Sequence, residues 1–161
     1  MAKPFVDVKL RGLENMRAEI ETFRGEARQN VGRAVELTTG AVWRKARRNM
    51  RGPKTGRTYR IGGRTHQASA PKEGPAIFSR ELFRSIFRRV EGLGGEVGSD
   101  EEKAGWLEFG VLRAGGNLME RRPWLRPAVR SERKTWFRRL RRALNKAGRT
   151  ARAQGRARRG R

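Results

Sequence analysis

The chain has 161 residues, no cysteine and a formal net charge of +24. Leu, Ile, Val and Phe total only 31 residues, a fraction typical of disordered chains at this charge, but four Trp and seven Phe argue against full disorder. These numbers exclude a disulfide framework, a thiolate metal site and, since no apolar run approaches about 18 residues, a membrane-spanning helix.

A strand and a long helix are predicted first. Residues 5–10 alternate apolar and polar side chains, which predicts a short strand with one buried face. From Leu13 to Met50, apolar residues recur every three or four positions between charged ones, which predicts an amphipathic helix. A kink is expected because three glycines in it each cost about 1 kcal/mol relative to Ala. They are Gly25, Gly32 and Gly40.

Residues 51–78 predict a long loop rich in Gly, Pro and Arg. Loops this long without secondary structure are uncommon and are either functional or disordered. Two interpretations stay open: a mobile insertion, or a segment that orders against a neighbouring subunit or DNA. Its candidate DNA contacts are Lys54, Arg57, Arg60 and Arg64.

A short turn and a hairpin follow. Ser79 is a candidate cap for a turn through Leu82 and Phe83. Residues 85–90 and 96–99 predict two strands joined by a Gly-rich connection.

Two apolar segments then precede a second helix. The first is Trp106-Leu107-Glu108-Phe109-Gly110, a compact apolar element around one carboxylate. The second is Arg122-Pro123-Trp124-Leu125-Arg126-Pro127, whose last proline suits the first turn of a helix. Apolar side chains recur on one stripe of that helix as far as Ala147, and the helix is expected to fray beyond Gly148.

The end of the chain is strongly cationic. Residues 126–161 contain thirteen Arg and two Lys against one acid, Glu132. Such a density repels itself without a polyanion nearby, and the planar guanidinium binds two phosphate oxygens at once. We therefore predict nucleic acid as a partner, bound through non-specific phosphate contacts. The candidate contacts here are Arg149, Arg152, Arg156, Arg158, Arg159 and Arg161.

This order of elements predicts an α+β fold, with a small antiparallel β-sheet packed against a long N-terminal helix and a C-terminal helix. Residues 1–147 are expected to form a single domain, and residues 148–161 a basic, disordered-prone tail. The thin core suggests that contacts with other subunits complete it. The N-terminal sequence lacks the apolar core of a signal peptide, so a soluble product of the cytosol is expected.

Catalytic chemistry is poorly represented. His66 is the only histidine, and it lies in the long loop, so no zinc or haem site is expected. Asp100, Glu101 and Glu102 are conceivable magnesium ligands of a nuclease, but solvated charge at the end of a hairpin is the favoured interpretation. We expect no enzyme activity, no cofactor and no metal.

Three segments, in this order, carry a family resemblance. They are ASAPKEGPA (68–76) with the following SRELFRSI (79–86), then WLEFG (106–110), then RPWLRPA (122–128). Together they resemble the gene-product-ten-like family of tailed-phage (siphophage) neck and tail-completion proteins. The resemblance spans about residues 5–145. Ser79, Leu107 and Trp124 depart from the family pattern, which usually has Thr-Gly, Val and Phe at these places.

The resemblance implies a structural virion protein, a minor tail component at the head–tail junction. Such proteins form rings, usually six-fold, around the DNA channel. The implied partners are further copies of the chain, the adjacent neck and tail proteins (stopper or connector, tail terminator and tail tube) and the genomic DNA. The motif positions to which an assembly role carries over are Leu82, Ser85, Ile86, Trp106, Leu107, Glu108, Phe109, Gly110, Arg122, Pro123, Trp124, Leu125, Arg126 and Pro127.

Two motif residues carry specific expectations. If Glu108 is buried it needs a partner, for which Arg122 or Arg126 is the candidate; alternatively it points to solvent. The prolines on either side hold Trp124 in a set direction, either into the core or into a neighbouring subunit.

Two functions remain as alternatives to a neck protein. Composition alone fits a stand-alone basic nucleic-acid-binding protein of ribosomal or chromatin type equally well. A magnesium-dependent nuclease using the three acids after the hairpin is the other.

Overall fold

The computed structural model describes residues 12–77, 80–112 and 114–159. The predicted α+β class is confirmed: the described residues form two long helices, with short helices and antiparallel strand pairs between them in the chain. In chain order the elements are α1 (Leu13–Arg51), β1 (Thr58–Ile61), β2 (Arg64–Gln67), α2 (Glu81–Ser85), β3 (Ile86–Glu91), β4 (Gly94–Ser99), α3 (Glu102–Phe109), β5 (Val111–Leu112), β6 (Leu118–Met119) and α4 (Arg126–Arg159). The predicted strand at residues 5–10 and the predicted cap at Ser79 lie outside the described residues.

Helix α1 confirms the predicted amphipathic helix almost to the residue. It is one α-helix of 39 residues, and its second half buries Val35, Val42, Ala46 and Met50. The steps in this series are seven, four and four residues, which place the side chains on one face of a helix, as the prediction required.

Within the described residues the strands form three separate two-stranded sheets instead of one sheet. The pair β3–β4 matches the predicted hairpin, with Ile86 opposite Ser99 and Glu91 opposite Gly94. Gly95 allows β4 to lie directly against α1, since a Cβ there would overlap the Thr39 hydroxyl and lie 2.9 Å from Cγ1 of Val35. A small third pair, β5–β6, follows α3.

The expectation of a long loop without secondary structure at 51–78 is wrong for its middle, where β1 and β2 form an antiparallel hairpin. Gly62 and Gly63 both have positive φ, 54° and 76°, and make the two-residue turn. Glycine tolerates this conformation without steric cost, and such turns match the twist of the flanking strands.

Helix α4 does not fray beyond Gly148 but continues to Arg159. The described residues form two compact units: those within 32–139, here the central unit, and residues 12–31 with 140–159, here the terminal unit. In the terminal unit Ala143, Ala147 and Ala151 are buried at four-residue intervals. Tertiary packing along this stripe outweighs the low helix propensity of the glycines.

The core of the central unit lies between the two long helices and the short elements. Its buried residues are Val42, Ala46, Met50, Phe83, Ile86, Ala104, Trp124 and Ala128. Within the described ranges, no helix has the long apolar stretch that a bilayer crossing requires.

Candidate functional site

The two short apolar motifs meet at the start of α4. The carboxylate of Glu108, at the end of α3, is only 4% exposed and accepts three backbone hydrogen bonds. Its Oε2 accepts from the amides of Trp124 (2.8 Å) and Leu125 (2.9 Å), and its Oε1 from the amide of Arg126 (2.7 Å). The first amides of a helix have no partner within it, and the positive end of the helix dipole favours an anion there. Glu108 therefore caps α4 from 16 to 18 residues away in sequence.

Glu108 does not point to solvent, and neither candidate arginine binds it through a guanidinium: of the two, only Arg126 is a partner, through its backbone amide. Arg122 instead donates from Nε to the Ser69 carbonyl (3.1 Å) and from Nη1 to that of Glu120 (3.2 Å). The Arg126 guanidinium lies over the Phe109 ring, 4.7 Å from its centroid. Backbone amides satisfy the buried carboxylate without desolvating a second charged group, which explains why they take the place of an arginine side chain.

Local geometry holds Glu108 in place. The amide of Gly110 donates to Trp106 O (2.8 Å) and closes α3. Gly110 has φ 82°, and a Cβ on it would lie 2.8 Å from Met119 O. The amide of Arg122 donates to Leu107 O (2.6 Å), which brings the incoming chain alongside α3. The glycine of the first motif is thus required by the turn that aims its glutamate.

Trp124 packs in the core, which confirms one of the two directions expected for it. It is 2% exposed, and its Nε1 donates to Ala104 O (3.4 Å). Its own carbonyl accepts from Asn49 Nδ2 (2.8 Å), near the end of α1. Leu125 is partly buried against the same cluster, and Pro127 lies in the first turn of α4 as predicted.

The other motif residues divide between the core and the surface. Ile86 is 3% exposed and accepts from Trp43 Nε1 (3.0 Å), while Leu82 packs against the core from its edge. The Ser85 hydroxyl lies 2.6 Å from that of Ser99. In contrast, Trp106 and Phe109 are 42% and 64% exposed.

The base of the 51–78 segment is fastened to α1 and to itself. Lys54 Nζ donates to Gly74 O (2.7 Å), and burial lowers the pKa of this ammonium. Glu73 accepts from the Thr55 hydroxyl (2.5 Å) and amide (3.1 Å) and from the Ala70 amide (2.9 Å). These hydrogen bonds, that of the Thr55 hydroxyl first, lower the pKa of Glu73. Lys54, a candidate DNA contact, therefore already has a protein partner.

The remaining candidate DNA contacts lie in two places. Arg57, Arg60 and Arg64 are exposed on the β1–β2 hairpin. Arg149, Arg152, Arg156 and Arg158 are exposed on the distal part of α4, and Arg159 is its last residue. Arg161 lies outside the described residues.

Sequence reasoning missed a buried ion-pair group in the central unit. Glu132 on α4 is 6% exposed and binds Lys45 Nζ (2.6 Å) and Arg139 Nη1 (3.1 Å). The hydrogen bond from Lys45 is the main cause that lowers the pKa of this carboxyl. Glu132 is the only acid in residues 126–161, and that isolation is a signal that could have found it.

No group of three or more His, Asp or Glu side chains within residues 12–77, 80–112 and 114–159 is placed to hold a metal ion. The three acids after β4 do not form such a group. Asp100 instead lies 4.0 Å from the Arg89 guanidinium.

Comparisons with known proteins add no relative. A scan against protein-family models and searches of curated proteins and of solved structures each found no match.

Proposed function

We propose that the chain is a structural protein of a tailed-phage virion, a neck or tail-completion component that assembles as a ring around the DNA channel at the head–tail junction. Three sequence motifs in a fixed order support this function. One observation supports it most: Glu108 of the first apolar motif binds the backbone amides of Trp124, Leu125 and Arg126 in the second. Motifs that meet in one constellation are a more specific resemblance than separate short matches.

Exposed apolar side chains support assembly with other subunits. Phe109, Leu112 and Leu118, around α3 and the β5–β6 pair, are each more than 60% exposed. A ring subunit gains stability when neighbouring copies cover such surface. We propose that this exposed apolar surface binds further copies of the chain, six in a ring, and the adjacent neck and tail proteins.

The charge supports a position beside DNA. A net charge of +24 on 161 residues opposes close packing of identical subunits unless a polyanion neutralises it. Genomic DNA in the channel would do so through phosphate contacts.

Electron microscopy of particles from a phage with this gene deleted tests the proposal. Separate filled heads and tails, or tails with abnormal ends, are expected, and a plasmid copy of the gene should restore joined particles. Normal infectious virions would refute the proposal. They would favour the second candidate, a stand-alone nucleic-acid-binding protein, for which the exposed arginines of distal α4 are the supporting observation.

A further inference from the structure

The distal part of α4 presents one continuous cationic face. Its members are exposed and recur at alternating steps of three and four residues: Arg142, Asn145, Arg149, Arg152 and Arg156. At 100° and about 1.5 Å per residue, they fall within about 80° of the helix circumference and extend about 21 Å along its axis. The buried stripe of Ala143, Ala147 and Ala151 lies on the opposite side of the helix.

The arginines of this face have no ion-pair or side-chain hydrogen-bond partner among the residues that the structure describes. These arginines are Arg142, Arg149, Arg152 and Arg156. Residues 140–159 contain seven Arg and one Lys and no acid, a charge of +8. These four guanidinium groups are thus aligned on a part of α4, residues 140–159, that carries no acidic side chain.

A shallow cavity lies beside the face at Gly148, a residue without a side chain. It has a volume of about 340 Å³ and is lined by Asn145, Gly148, Arg149 and Arg152. The amide of asparagine and the two guanidinium groups are all hydrogen-bond donors at this place. A group rich in acceptor oxygens and negatively charged fits that lining.

We propose that this arginine face, formed by Arg142, Asn145, Arg149, Arg152 and Arg156, binds the phosphate backbone of duplex DNA. A strand of B-DNA carries a phosphate every 3.4 Å or so along its axis, so about six phosphates span the length of the face. The guanidinium fork binds phosphate oxygens in pairs, and side chains that contact only phosphates confer no base preference. This inference deepens the proposed contact with channel DNA, and it assigns that contact to a folded helix face instead of a disordered tail or the β1–β2 hairpin.

The test measures binding of the full chain to a fluorescent 20-bp duplex of mixed sequence by anisotropy, from about 50 to 300 mM NaCl. The variant Arg149→Gln/Arg152→Gln/Arg156→Gln is compared with Arg57→Gln/Arg60→Gln/Arg64→Gln, which removes the same charge from the β1–β2 hairpin. Each phosphate contact contributes about 0.9 to the slope of log K against log salt. We expect the helix variant to reduce the slope by about 2 to 3 and to weaken binding more than tenfold at low salt. Equal losses in the two variants, or a larger loss in the hairpin variant, would overturn the proposal.

A second variant separates the face from net charge. Arg152→Ala, Ala153→Arg, Arg156→Ala and Ala157→Arg together keep the composition but move two arginines by about 100° around the helix. Ala153 and Ala157 are exposed, so the change leaves the buried stripe intact. We expect this variant to lose affinity although its charge is unchanged, with helicity checked by circular dichroism. Unchanged affinity would refute a defined face.

The failure of this inference is distinguishable from that of the proposed function. Unjoined heads and tails in the deletion phage, with DNA binding that ignores the helix variants, would refute only the arginine face. Normal virions together with a reduced slope would refute only the neck protein. If the true partner of this face is an acidic protein, the helix variant will leave the salt slope of DNA binding unchanged, and that result overturns the proposal.

Discussion

In the central unit the buried polar groups have specific partners, whereas in the terminal unit four of the five buried positions among the described residues are Ala or Gly, and the fifth is Asn30, which donates to Glu26. Residues 32–139 bury Glu108 against three amides and Glu132 against two cations. In residues 12–31 and 140–159 the buried positions include three alanines and Gly155, and a Cβ on that glycine would overlap the carboxylate of Glu19. The first unit is specified by hydrogen bonds and the second by close approach of two helices. Removing a hydrogen-bond partner should therefore destabilise the central unit, and adding side-chain volume should destabilise the terminal unit.

The largest effect is expected from Glu108→Ala. It leaves three amides at the start of α4 without an acceptor and opens a cavity, so the free energy of unfolding should fall by about 2–4 kcal/mol. Urea unfolding followed by Trp fluorescence measures this. Glu36→Gln, an exposed acid on α1, is the matched control and should change stability little. Similar stability of the two variants would mean that Glu108 is not an essential cap.

The second-largest loss of stability is expected from a larger side chain in the buried stripe of the terminal unit. Ala147 is fully buried, so Ala147→Leu forces the helices apart and should cost about 1–3 kcal/mol. Hydrogen exchange should show lost protection in residues 140–159 while residues 32–139 keep theirs. The control is Ala153→Leu, on the exposed side of the same helix. Lost protection throughout the chain would show that the two units unfold together, and would break the comparison.

Replacing glycine by alanine should change the free energy of unfolding in opposite directions at two positions of the central unit. A Cβ on Gly74 would overlap the Asn49 carbonyl oxygen and lie 2.8 Å from its carbon, whereas one on Gly105 in α3 meets nothing within 4 Å. Gly74→Ala should destabilise the protein by about 1–2 kcal/mol, and Gly105→Ala should stabilise it by up to about 1 kcal/mol. Thermal unfolding of both variants checks the signs. Destabilisation by both would mean that the close approach at Gly74 is not what distinguishes them.

The smallest effect is a pH dependence. The pKa of Glu132 is lower in the folded protein than its ordinary value of about 4.3. Between these two pKa values the unfolded chain binds more protons than the folded protein, so the free energy of unfolding rises with pH there. The stabilising contribution of Glu132 is fully present above the ordinary pKa and is lost as pH falls through the lower, folded-state pKa. Glu132→Gln should flatten this part of the pH profile and leave the contribution of Glu73, whose pKa is also lowered. An unchanged profile would exclude Glu132 as its source.

Periodic features of the fold could be predicted from the sequence. The apolar period placed α1 within one residue of its end, and the glycines between residues 85–90 and 96–99 placed the β3–β4 hairpin. Both depend on neighbours along the chain, where side-chain direction follows directly from spacing. The β1–β2 hairpin has a comparable signal in Gly62-Gly63, a pair of residues typical of a two-residue hairpin turn.

Long-range partners could not be predicted in the same way. Glu108 was recognised as a carboxylate in need of a partner, but the partner is a set of backbone amides, which every residue possesses and no residue type marks. The continuation of α4 past Gly148 depends on packing against α1 within the terminal unit, where Thr22 Oγ1 donates to Gln154 Oε1 (3.3 Å). Helix propensity alone favours an end at that glycine.

The hydrogen bonds at the base of the 51–78 segment should hold it in place even when the chain is cut within it. The contacts that hold it lie outside β1 and β2: Gly56 N to Ala68 O (3.0 Å), Ala68 N to Arg57 O (3.0 Å), and Lys54 to Gly74. A single cut by trypsin after the exposed Arg60 would therefore leave two fragments that stay associated and copurify. The neighbouring turn at Gly62-Gly63 should accept new chain termini or an inserted domain, because the chain on both sides of it is hydrogen-bonded below the two strands.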